Sequence, residues 1–151
     1  MTPDQQSALE SLVGRVLSSD EVALLDQYLP TRNDVEIANI LSVGRIRVDS
    51  KQIGIGTILM ALSPHGGIFL DQLVELGQTD RNVYWSFELI RAGTFDIGLP
   101  GTREQLIELK NEFPAVGPAL DILMKTAESP DPIPYGAVSD ALNIAERQMT
   151  L

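Results

Sequence analysis

The sequence predicts a mainly α-helical fold, a compact multi-helix domain of about eight or nine helices with one short two-stranded β ribbon. Three observations lead there. Apolar residues recur at three- and four-residue spacing along most of the chain, capping residues precede those runs, and glycine or proline follows them. Against this background Arg45-Ile46-Arg47-Val48 and Thr94-Phe95-Asp96-Ile97 alternate polar with apolar, which is strand periodicity.

Thr2 caps a first helix with Pro3 at its first position, and Leu9, Leu12, Val13 and Val16 form its apolar stripe. Ser18-Ser19-Asp20-Glu21 is a capping box, opening a second helix through Leu25, Tyr28 and Leu29 that Pro30 ends. Asn33 or Thr31 caps a third through Val35, Ile37, Ala38, Ile40 and Leu41, with Gly44 suited to a left-handed residue beyond its end. Ile55, Ile58, Leu59 and Leu62 mark a fourth, in which Gly54 and Gly56 permit close backbone approach. Ser63-Pro64 reads as the start of a fifth, carrying Phe69, Leu70, Leu73, Val74 and Leu76.

A sixth begins at Thr79 or Asp80 and runs through Val83, Trp85, Phe87, Leu89 and Ile90 to Gly93; its aromatic cluster reads as core. Thr102-Arg103-Glu104-Gln105 is a capping box for a seventh, ended by Pro114, and Pro118 suits the start of an eighth. Pro130, Pro132 and Pro134 make residues 129 to 135 a stiff connector to a last helix, from about Ala137 to Arg147, which presents Val138, Ala141, Leu142 and Ala145. Its few large apolar residues imply that it packs loosely, swaps or meets a partner. The expected division is a helical core over 1–128 and a connector with C-terminal helix over 129–151.

The two alternating stretches lie 49 positions apart, and each follows a helix closed by glycine, Gly44 or Gly93. Pairing them as one ribbon, near 45–48 and 94–97, turns Ile46, Val48, Phe95 and Ile97 to a helical core and leaves Arg47 and Asp96 outside.

Charge and composition narrow the function. The formal charge is −10, from 11 basic and 21 acidic residues, which repels phosphate backbones and anionic membranes and argues against direct nucleic-acid binding. Residues 45 to 51 are the exception, with Arg45, Arg47 and Lys51 against Asp49. That island suits either pairing with acidic neighbours or an acidic partner. The absence of cysteine excludes disulfides, thiolate catalysis and thiolate-ligated metals, and fits a reducing compartment. No run of 18 apolar residues exists to span a membrane, and the first residues lack the pattern of a secretory leader, so a cytosolic protein is expected.

His65 is the single histidine, and no Gly-x-Ser-x-Gly elbow presents a serine to it. Near a helix start it reads as a surface or capping residue. Gly54-Ile55-Gly56 beside Lys51 offers an anion cradle, but completes neither the phosphate-loop nor the dinucleotide pattern. Neither a catalytic residue, a metal ligand nor a cofactor is expected.

The runs Gly44-Arg45-Ile46-Arg47-Val48 through Ile53-Gly54-Ile55-Gly56-Thr57-Ile58-Leu59, and Ala92-Gly93-Thr94-Phe95-Asp96-Ile97-Gly98 through Thr102-Arg103, resemble small proteins of tailed bacteriophages and prophages, as does Ser129-Pro130-Asp131-Pro132-Ile133. The likeness spans roughly residues 33 to 143. It implies a phage origin, the host cytoplasm during infection or the virion as location, and carries over no active site. The leading expectation is a non-enzymatic protein–protein interaction module, a virion or assembly component that binds phage virion proteins or itself. Arg45, Arg47 and Lys51, with Val138 and Leu142 of the last helix, are the expected contacts. The alternatives are an acidic antagonist of a host nucleic-acid-binding protein and a carboxylate- and metal-dependent enzyme.

Overall fold

The computed structural model describes residues 1 to 149. In chain order the elements are α1 (Pro3–Val13), α2 (Ser19–Asp26), α3 (Asp34–Ser42), β1 (Ile46–Val48), β2 (Gln52–Ile53), α4 (Ile55–Ala61), α5 (Gly66–Gly77), α6 (Arg81–Ala92), β3 (Phe95–Asp96), α7 (Pro100–Glu112), α8 (Gly117–Lys125), β4 (Glu128–Pro130) and α9 (Tyr135–Met149). A 3-10 turn, Pro114–Val116, precedes α8. The mainly α class, with nine helices among the described residues, follows the sequence pattern.

Local chemistry sets most helix ends. Thr2 Oγ1 accepts from Gln5 N at 3.1 Å and Ser18 Oγ from Glu21 N at 3.2 Å, so both amino-terminal caps form as read. Asn33 and Asp80 cap α3 and α6. Gly44 and Gly93 take φ of 75° and 74°, the left-handed conformation that lets the chain leave a helix without a Cβ clash. Two starts differ from expectation: α5 begins at Gly66 rather than at Pro64, and α7 at Pro100, ahead of the Thr102 box.

The chain divides into two compact units, one of residues 1–46 with 130–149 and one of residues 47–129. These units do not follow a division into 1–128 and 129–151, because residues 130–149 join residues 1–46. In the first unit α9 packs on α1 and α3. Leu9, Leu25, Ile37, Leu41, Val138 and Leu142 are all fully buried together there. Burial of a leucine to this degree contributes about 2 kcal/mol.

In the second unit α5 packs on α6, α4 on α5, and α7 on α8, around Ile53, Ile58, Phe69, Phe87, Ile97 and Leu120. Gly66 lets α5 cross α4 closely, since a Cβ there would lie 2.8 Å from Leu59 Cα. Gly54 also makes a close approach, to Gly93, whereas the space around Gly56 is open.

The ribbon pairing differs from expectation. β2 pairs antiparallel with β3, Gln52 opposite Asp96 and Ile53 opposite Phe95, while β1 pairs with β4. Phe95 and Ile97 are buried as expected, but Ile46 and Val48 are exposed. Short strands contribute few bonds, so neighbouring side chains decide the partner. Asp96 acts here: it accepts from Ser50 Oγ, from Lys51 N at 2.9 Å and from Gly98 N at 2.8 Å. These donors hold its carboxyl below the usual range, the Ser50 hydroxyl foremost.

Candidate interaction surface

The cations of the basic island make separate contacts. Arg45 lies in the first unit, where its Nη1 donates to the Val13 carbonyl at 3.1 Å, its Nε to the Asp131 carbonyl at 3.3 Å, and its Nη2 meets the Asp131 carboxylate at 3.5 Å. The Val13 bond closes the carboxyl end of α1, whose last carbonyls lack helical partners. Arg47 and Lys51 belong to the second unit. Arg47 Nε meets Asp49 at 3.2 Å on the surface, and Lys51 Nζ donates to the Thr126 carbonyl at 3.3 Å. Arg45 and Arg47 thus meet acidic neighbours, whereas Lys51 meets a backbone carbonyl.

Val138 and Leu142 are not surface contacts. Both are 0% exposed in the core of the first unit, so a partner could reach them only by displacing α9. The expectation of loose packing failed because α1 and α3 supply the large side chains, Leu9 and Leu41 among them, that α9 lacks.

The surface that sequence reading missed is the outer face of α6. Val83, Phe87 and Ile90, at i, i+4 and i+7, are the buried stripe. Trp85 and Leu89 fall about 200° from Val83 and Phe87 around the helix at 100° per residue, which turns them out. Trp85 is 59% exposed, and Tyr84 and Leu89 are exposed beside it. The signal was in the spacing: Val83, Trp85, Phe87 and Leu89 alternate, and no helix buries alternate positions on one face.

These side chains order one another. The Tyr84 and Trp85 rings meet edge to face, centroids 4.9 Å apart at 87°. The Arg81 guanidinium lies 4.5 Å from the Tyr84 centroid and 5.8 Å from that of Trp85. Farther along, Arg91 sits 4.8 Å from the Phe87 ring and 3.6 Å from a Glu88 oxygen. Among the described residues no carboxylate pairs with Arg81, whose N–H groups stay available to a partner.

Elsewhere the inventory for chemistry is thin. His65 occupies the residue before α5 and makes no capping bond with its side chain. Among the described residues no three histidine, aspartate or glutamate side chains gather where they could hold a metal ion, and no helix is long and apolar enough to cross a membrane. The Gly54 N–H donates to Thr57 Oγ1 at 3.4 Å, so the glycine pair does not present it to an anion.

Comparison with protein-family models, curated proteins and solved structures finds no match for this chain.

Proposed function

We propose that the protein is a non-enzymatic protein–protein interaction module and that the outer face of α6 carries the contact. Its setting is a tailed phage, as a virion or assembly component, which rests on the resemblance of the Gly44 to Leu59 and Ala92 to Arg103 runs. The observation that carries the reading is the exposed, mutually packed Arg81, Tyr84 and Trp85. Tryptophan, tyrosine and arginine dominate the binding energy of protein interfaces. Held by one another, they lose little freedom when a partner covers them.

The test is a photocrosslinking amino acid at Leu89, one turn beyond Trp85, in cells making the protein together with the phage structural proteins. A covalent adduct to a capsid or tail protein is expected, and Trp85→Ala should reduce it at least tenfold while leaving the fold intact. Absence of any protein adduct, or an adduct indifferent to Trp85→Ala and Arg81→Ala, overturns the assignment of this face. An adduct to a basic host protein, whose yield falls steeply when salt is added before irradiation, moves the reading to the acidic antagonist.

A further inference from the structure

The second unit holds a half-enclosed cavity of about 120 Å3 between α5, α6, α7 and α8. Its floor is apolar, with Phe69, Leu73, Phe87, Leu106 and Leu120 all buried. The exposed lining residues mark its open side, and they include Glu108 and Glu112, one turn apart on α7; Asp80 lines it as well. No lysine, arginine or histidine is among the lining residues. Lys110, between the two glutamates in sequence, is engaged by Asp121 at 2.8 Å, and neither Glu108 nor Glu112 has an ion-pair partner among the described residues.

Two quantities choose the occupant. An apolar protein cavity of about 150 Å3 stays dry and takes up benzene, so a space of this size suits one six-membered ring. The carboxylates at its open side favour a cation there and repel an anion, each exposed pairing contributing about two- to fivefold in affinity. We propose that this cavity binds a small primary amine carrying a single apolar ring, the ring seated on Phe69, Phe87 and Leu120 and the ammonium facing Glu108 and Glu112. None of Arg81, Tyr84, Trp85 or Leu89 lines the cavity, so this site and the outer face of α6 stand or fall separately.

The experiment titrates three ring probes into the full chain with labelled methyl groups: 2-phenylethylammonium, ethylbenzene and 3-phenylpropionate. Methyl resonances of Leu73, Leu106 and Leu120 should shift, with the ammonium about tenfold tighter than ethylbenzene and the carboxylate weaker than either. Glu108→Gln with Glu112→Gln, both on the surface, should weaken the ammonium about tenfold and leave ethylbenzene unchanged. Leu120→Trp should fill the space and abolish binding of all three. The proposal is overturned if no ring probe moves those methyls, if ammonium and carboxylate bind alike, or if the double glutamine variant still discriminates. Protection of the same methyls only by a basic phenylalanine-bearing peptide also overturns it, and assigns the cavity to a partner's side chain.

Discussion

Arg32 Nη1 donates to Glu146 Oε1 at 2.6 Å, joining the turn before α3 to α9 across 114 positions of sequence. The same side chain donates to Asn143 Oδ1 at 3.1 Å and to Asp34 Oδ1 at 3.1 Å. Arg32 is also the one non-glycine residue with positive φ, 51°, among the described residues. A left-handed backbone costs a residue with a Cβ about 1–2 kcal/mol, which these bonds offset.

Arg32→Ala should therefore destabilise the first unit by about 2 kcal/mol, since it keeps the backbone cost and loses the bonds. Arg32→Gly loses the same bonds but relieves the backbone, and should cost about 1 kcal/mol less. Urea denaturation compares the two. Glycine at least as damaging as alanine would show that the backbone conformation carries no penalty.

Gly98 has no room for a side chain. A Cβ there would fall 1.9 Å from the Asp49 carbonyl oxygen, and backing away pulls Gly98 N from the Asp96 carboxylate. Gly98→Ala should cost about 3 kcal/mol or more and expose the Lys51 amide to hydrogen exchange. Gly101→Ala is the control: nothing lies within 4 Å of that Cβ and the residue is helical, so stability should hold or rise by about 0.5 kcal/mol.

Leu142→Ala removes a fully buried side chain and should cost about 2–5 kcal/mol in thermal or urea unfolding. Trp85→Ala, at an exposed position, should change stability by about 0.5 kcal/mol or less. Reversal of that order would mean that α9 packs weakly and that Trp85 belongs to the core.

Much of the helical fold was legible because its instructions are local. A serine and a glutamate three apart, or a glycine after an apolar run, act within one turn and survive any tertiary context. The strand partners were not legible, because Ile46–Val48 and Phe95–Asp96 offer two or three residues each and alternation alone cannot choose between partners. What chose included the bonds of Asp96 to Ser50, Lys51 and Gly98, visible only once the chain is folded. Tyr84 and Trp85 differ for another reason: aromatic content points to the core, whereas the side of α6 that each residue occupies turns them outward.

Glu21 gives a pH signature. It accepts from Arg15 Nη1 at 2.8 Å and Nη2 at 2.7 Å, and from Ser18 N at 3.1 Å; led by the Arg15 bonds, these pull its carboxyl down to about 2 from an ordinary 4.5. A carboxylate depressed on folding stabilises fully above its unfolded pKa and loses that contribution as the pH falls towards the folded one. The pair is largely open to solvent, which limits its worth to about 0.5 kcal/mol. Glu21→Gln should show that deficit at neutral pH, and the gap to the parent should close as the pH drops from 4.5 to about 2. Urea titrations across this range measure it, and a gap constant with pH would remove the charge as its cause.

The first unit is assembled from two distant stretches, 1–46 and 130–149, while residues 47–129 form a continuous insert. On the ribosome this imposes an order. The insert is synthesised whole and can collapse on its own contacts, but α1 and α3 must wait for α9, several seconds at about 5–20 residues added per second. Through that interval Leu9, Ile37 and Leu41 lack the Val138 and Leu142 that complete their burial. The nascent chain therefore displays a sticky amino-terminal segment of three helices, the stage at which a chaperone or a second nascent copy has its best opportunity to bind.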